Sequence, residues 1–252
     1  MDTENITIRK KTIRGRNGFI GWLSYRVLPS IGSCIGTFLL GSLASIPIYT
    51  IAFIFMSFAA KQSWIKAENM EDFTQNEWVV SLTLMSTMLF IIWRCYKKYH
   101  IHIRFSKAFL LSKKTIILSS IAIGIIQFFP ISILEEYLNL PNWEDFSDMT
   151  HNPIGILTMC LIGPIAEEML VRGVVLRKMM RWNINSWYPI IISSLLFGFI
   201  HINPAQIPGA ILGGILMAWI TYRTKSLIPA IIIHIVNNSL CLFAQNILFT
   251  QY

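Results

Sequence analysis

The stretch G-P-I-A-E-E-M-L-V-R (residues 163–172) sets two adjacent carboxylates and a guanidinium inside an apolar segment running from about 153 to 176. Roughly 20 apolar residues suffice to cross a bilayer as a helix, and an ionisable side chain at its centre costs on the order of 2.5–3.5 kcal/mol. Such charges need a partner or a task. On a helix, Glu168 and Arg172 share a face, with the acid N-terminal to the base. A guanidinium can hold a carboxylate through two parallel hydrogen bonds, so this pair reads as an internal clamp that braces the helix. Glu167 points about 100° away around the helix and the clamp leaves it without an obvious partner. A carboxylate of that kind suits general-base work near neutrality.

The rest of the chain repeats the apolar signal. Its 252 residues are 54% hydrophobic and 13% charged, with a mean hydropathy of +0.56. These values exclude an ordinary soluble domain and predict an all-α, polytopic membrane helix bundle. About seven transmembrane helices are expected, near residues 31–58, 78–94, 115–134, 153–176, 187–203, 207–222 and 227–248, the last four forming a C-terminal catalytic core. The organisation expected is a basic N-terminal arm over 1–30, helices and loops over 31–150, and the core over 151–252. Pro47 predicts a kink, tilt or surface excursion in the long first span. No signal-peptide pattern is read in the first thirty residues, so the first helix is expected to remain in the mature protein. Cys34, Cys95, Cys160 and Cys241 are scattered and imply neither a disulfide framework nor a zinc knuckle.

Charge alternates between loops. Residues 94–114 carry Arg94, Lys97, Lys98, Arg104, Lys107, Lys113 and Lys114, whereas 135–152 carry Glu135, Glu136, Glu144, Asp145 and Asp148 with no Lys or Arg. Arg177, Lys178 and Arg181 follow the fourth span, and Arg223 and Lys225 the sixth. Because Lys and Arg collect on the cytoplasmic side, the N-terminus is expected in the cytoplasm and the C-terminus outside, in a bacterial cell membrane. The net charge of +8 is explained by that distribution, and no basic stretch interleaved with stacking aromatics points to nucleic acid.

Two more polar clusters follow in the next spans. Phe197 and His201 lie one turn apart, as do His234 and Asn238. If spans four and five turn near residue 184, Glu167 and His201 are each 17 residues from the turn and can meet at one depth. His and Asn also serve as hydrogen-bonding glue between membrane helices, yet three clusters in neighbouring spans argue for a shared functional cleft. Gly163-Pro164 before Glu167, and Pro204 and Pro208 after His201, predict irregular backbone there, tolerated at membrane depth only where protein or water satisfies it. Gly209, Gly213 and Gly214 give the sixth span a small-residue packing face.

The motifs E-E-M-L-V-R (167–172), F-G-F-I-H (197–201) and H-I-V-N-N (234–238) resemble, in order, those of the CPBP family. That family includes type II CAAX prenyl proteases, bacteriocin-processing or self-immunity proteins, and Abi proteins. The resemblance covers about residues 150–245 and implies a helical bundle around a conical, water-accessible cavity with endopeptidase activity. It further implies that Glu167 with His201 activates water, that His234 and Asn238 stabilise the oxyanion, and that Glu168, Arg172 and Phe197 support the site.

An intramembrane endopeptidase acting on a peptide or membrane-associated protein is therefore expected. The alternatives are a non-catalytic self-immunity or scaffold protein and a proton or metal transporter, the last disfavoured because the first half lacks matching polar breaks. Serine and aspartyl intramembrane proteases fit worse, since no G-x-S-x-G-like turn and no aspartate falls in a span. Glu167, His201 and His234 could form a His₂Glu set for zinc, but H-E-x-x-H spacing is missing. A metal-free glutamate mechanism with no required cofactor is favoured.

Overall fold

The computed structural model describes residues 18–62, 76–103, 113–126, 137, 139–141, 147–181, 184–201 and 203–249. Among them it is a helical membrane bundle without strands. Helix α1 runs from Phe19–Trp22 through a π-helical turn, Leu23–Val27, into Leu28–Lys61. It starts earlier than the expected span, passing Pro29 just after the π-helical turn, and it continues through Pro47. Helix α2 is Glu77–Lys97 and α3 is Lys113–Ile126. Helix α4, Pro153–Met179, is continuous but built from Pro153–Leu157, Thr158–Ile162, Gly163–Glu168, Met169–Leu176 and Arg177–Met179. Helices α5 (Trp187–Phe199), α6 (Ile207–Thr224) and α7 (Ile228–Phe249) complete it. The expected residues 127–134 of the third span and the first 17 residues of the arm lie outside the described residues.

Among the described residues, three helical stretches are long and apolar enough to cross a membrane: Phe19–Ala59, Glu77–Lys97 and Pro153–Met179. Trp187–Phe199 and Ile228–Phe243 are shorter apolar helices. At 1.5 Å per residue α5 is only about 20 Å long, less than the roughly 30 Å of a hydrocarbon core. The sequence expectation ran α5 to residue 203. The helix instead stops at Phe199, and the chain turns through His201 and Pro204 into α6. That short reach leaves His201, partly buried, on the turn between α5 and α6.

Helix α4 is the central element, packed by α1, α2, α5, α6 and α7. Its Met169–Leu176 segment is buried on every side, as expected of a helix with no solvent or lipid face. Asn152 starts α4 by accepting a hydrogen bond from the Gly155 amide at 2.7 Å, and its own amide donates to Ser81 Oγ of α2 at 3.0 Å. Pro153 occupies the first helical turn, where its missing N–H costs nothing. Gly155 is required by close approach, since a Cβ there would run into the Met149 carbonyl and Ser81 Oγ. At the other end of α4, Trp22 Nε1 of α1 donates to the Met179 carbonyl at 3.1 Å. Lys178 Nζ donates to Ser33 Oγ at 2.8 Å.

The Gly155 contact gives a direct test. Gly155→Ala is expected to destabilise the protein by about 1–3 kcal/mol through overpacking against backbone, read as a lowered Tm in detergent. Gly36→Ala, whose Cβ would meet nothing within 4 Å, is expected to leave Tm unchanged or slightly raised.

Candidate active site

The polar centre is assembled on α4. Arg172 Nη1 donates to Glu168 Oε1 at 2.8 Å, both side chains being 0% exposed. Arg172 Nη2 donates to the Gly214 carbonyl of α6 at 3.1 Å, and its guanidinium lies 4.1 Å from the centre of the Phe197 ring of α5. A Cβ on Gly214 would sit 3.2 Å from Phe197 Cδ1 and 3.4 Å from Arg172 Nη2, so the glycine lets the cation reach a backbone oxygen. The clamp read from spacing is thus present, and it binds three helices. Gly214 was assigned only to packing; the Gly213-Gly214 pair in an apolar helix was the sequence signal for this close approach.

Glu168 Oε1 also meets His234 Nδ1 of α7 at 3.1 Å. A carboxylate only accepts, so Nδ1 carries the proton and Nε2 faces the other way. Nε2 lies 3.8 Å from Glu167 Oε2, too far for a hydrogen bond and suited to one bridging water. Glu167 Oε2 is buried and accepts no hydrogen bond, while the Glu167 side chain as a whole remains 19% exposed. His201 is fixed by donating Nδ1–H to the Phe197 carbonyl at 2.8 Å. The Phe197 ring meets His201 and His234 edge-on, with centroids 4.9 and 5.6 Å away.

The sequence-nominated residues are therefore joined unevenly. Glu167, Glu168, Arg172, Phe197 and His234 form one cluster, and His201 enters it through Phe197. No hydrogen bond or ion pair links Glu167 to His201; the imidazole facing Glu167 is His234. Asn238 lies one turn further along α7, where Nδ2 donates to the Met159 carbonyl at 3.0 Å, leaving one amide hydrogen uncommitted to it. Asn237, which sequence reading passed over, donates to Asn238 Oδ1 at 3.4 Å.

Backbone irregularity aims these groups. Pro164 has no N–H and its ring crowds the carbonyl four residues back, which disfavours regular α-helix before it. The chain answers with a π-helical turn, Thr158–Ile162, in which Gly163 N–H bonds the Thr158 carbonyl. A second π segment, Met169–Leu176, follows Glu168. Such widened turns recur at functional sites. Met159, the partner of Asn238, belongs to the first of them.

A zinc site on Glu167, His201 and His234 needs three donors about 2 Å from one point. The Nδ1–H groups of His201 and His234 are held by the Phe197 carbonyl and Glu168, which leaves each Nε2 open to a metal, but among the described residues no three His, Cys, Asp or Glu side chains are placed to hold a metal ion. The donor set as arranged does not fit, and no step is routed through a metal.

The ion pair yields a stability prediction. Arg172→Met is expected to cost about 3–5 kcal/mol by stranding a buried carboxylate, and Glu168→Gln/Arg172→Met to recover much of that loss. Chemical denaturation of the two variants in detergent checks it, and equal losses would contradict the assignment.

Residues 150–240 match the family described as Type II CAAX prenyl endopeptidase Rce1-like. No curated protein and no solved structure matches the chain. The matched segment begins just before α4 and ends within α7, and it contains Glu167, Glu168, Arg172, Phe197, His201, His234 and Asn238. Laid over a buried carboxylate–imidazole cluster in a membrane bundle, the match makes residues 150–240 similar to the CAAX-type prenyl endopeptidases.

Proposed function

We propose that the protein hydrolyses a peptide bond in a peptide or membrane-associated protein, using water activated by Glu167 rather than by a metal ion. The observation that carries the reading is the buried Glu167 Oε2, without a hydrogen bond and 3.8 Å from His234 Nε2. Two hydrogen-bond legs of ordinary length can span that gap through one water. Glu167 takes a proton from this water, and the oxygen attacks the scissile carbonyl carbon. The tetrahedral oxyanion receives a hydrogen bond from the free amide hydrogen of Asn238. His234 faces the same oxyanion, its ring held in place by the Nδ1–H bond to Glu168. Glu167 then delivers its proton to the departing amine as the C–N bond breaks.

His201 contributes Nε2 as an acceptor, since its Nδ1–H is spent on the Phe197 carbonyl, and it orients water or substrate from the turn after α5. The end of the bundle that carries Arg177, Lys178, Arg223 and Lys225 faces the cytoplasm on the positive-inside argument. Glu167 lies ten residues before Arg177, about 15 Å along the helix from it. A substrate backbone reaches that depth in an extended conformation. Peptide precursors, signalling peptides and lipid-linked protein tails are the classes that fit.

Two measurements test this. Membranes producing the protein are compared with membranes producing Glu167→Gln by mapping newly formed peptide N-termini. Cleavage sites present with the parent chain are expected to fall by about 100-fold or more in the variant, with the variant folded and inserted to the same extent. Identical maps would sink the catalytic assignment and favour a protein that acts by binding alone. Separately, cleavage of a peptide recovered from such a map is expected to persist after chelator treatment; loss that zinc restores would replace the metal-free mechanism.

A further inference from the structure

Asn238 is aimed by a break in the hydrogen bonding of α4. The donors that a helix could bring to the Met159 carbonyl are the amides of Gly163 and Pro164, four and five residues on. Gly163 N–H bonds the Thr158 carbonyl instead, and Pro164 has no N–H to give. Asn238 Nδ2 of α7 takes their place on the Met159 carbonyl at 3.0 Å. A carbonyl only accepts, so the Asn238 amide meets it in one orientation, nitrogen forward and Oδ1 turned back. Asn237 Nδ2 stands 3.4 Å from that oxygen. Were the Asn237 amide reversed, two amide oxygens would face each other, so its nitrogen is held towards Asn238 and its own oxygen away. Asn237 Oδ1 is consequently buried and accepts no hydrogen bond from any described residue.

Packing does not ask for an amide at position 237. Ala230 and Ile233 lie seven and four residues earlier on the same stripe of α7. Both are fully buried in the apolar cluster that also holds Val171, Phe197 and Met217. A leucine at 237 would continue that stripe. Asn237 is itself 8% exposed, and a buried amide oxygen without a donor lowers stability. Local violations of this kind collect at functional sites, where another part of the same side chain serves the chemistry. Here that part is the amide nitrogen on Asn238.

We infer, on the hydrolase reading above, that Asn237 is a positioning residue: by holding Asn238 Oδ1 it keeps the second amide hydrogen of Asn238 directed at the oxyanion. Met159 alone leaves the Asn238 side chain free to swing about a single hydrogen bond. The contact at Oδ1 removes that freedom before substrate arrives. Donors already in place stabilise developing charge better than donors that must reorient as it forms. Asn237 touches no reacting atom in this scheme. Its effect is made in the transition state and therefore belongs in kcat rather than in KM.

The test is a double-mutant cycle on the full-length protein in detergent, with a peptide recovered from the N-terminus maps as substrate. Asn238→Leu is expected to lower kcat by about 100-fold. Asn237→Leu is expected to lower it by about 10-fold with KM little changed. Added to Asn238→Leu, the Asn237→Leu change is expected to cost less than about twofold more, because the group it acts through is already gone. The Tm of Asn237→Leu is expected to equal or exceed that of the parent chain, since the stranded oxygen is removed. An unchanged kcat in Asn237→Leu, a loss confined to KM, or a loss that adds in full to that of Asn238→Leu would each overturn the role of Asn237. If Asn237→Leu does not accumulate, Asn237→Ala carries the same cycle, with the same loss of kcat expected and full additivity overturning it. A parent chain without Glu167-dependent cleavage would overturn the hydrolase reading and this inference together, whereas intact cleavage with an additive cycle removes only the role of Asn237.

Discussion

The buried ion pair between Glu168 and Arg172 is the constraint around which the C-terminal bundle is organised. Each charge taken from water into a protein interior costs several kcal/mol after relaxation, and one contact with an opposite charge does not reliably offset two such costs. Here the remaining valences are distributed over three other helices. Arg172 reaches the Gly214 carbonyl of α6 and the Phe197 ring of α5, and Glu168 accepts from His234 of α7. The pair therefore fixes the rotation of α5, α6 and α7 about α4, and the burial of charge becomes a device for register. Apolar packing alone cannot supply that, because lipid tails and leucine side chains are equally apolar partners for a helix.

Holding His234 through Nδ1 has a chemical consequence. The ring cannot turn, so Nε2 is directed at Glu167, whose own carboxylate oxygen is buried but receives no donor. Two adjacent glutamates thus divide the work, one holding Arg172 and His234 through Oε1 and the other left open. The division follows from helical geometry: consecutive residues point about 100° apart, so both cannot face Arg172. The π turns on either side of Gly163–Glu168 then set the direction in which the open carboxylate looks.

Much of this was legible in the residues. Apolar composition and span length identified a membrane bundle, charges inside the spans identified the candidate site, and the four-residue spacing of Glu168 and Arg172 identified the clamp, because neighbours on one helix face are decided locally. The boundaries of α2, α4, α6 and α7 fall within a few residues of the apolar segments. The end of α5 was misread, since Ile200 and Ile202 continue the apolar pattern while the turn through His201 and Pro204 interrupts the helix. Equal distance from a loop suggested that Glu167 meets His201, but equal depth does not specify facing directions, and the imidazole opposite Glu167 is His234.

Composition and spacing by themselves determined that the chain is helical and membrane-embedded, which residues are too polar for their surroundings, and which of them pair along a single helix. Only the tertiary structure decided the contacts between helices: His234 on Glu168, Arg172 on the Gly214 carbonyl, and Asn238 on Met159. The physical reason is rotational register. Each widened π turn and each early helix end turns every later side chain about its axis, and that angle is set by packing against neighbours rather than by the order of residues along the helix.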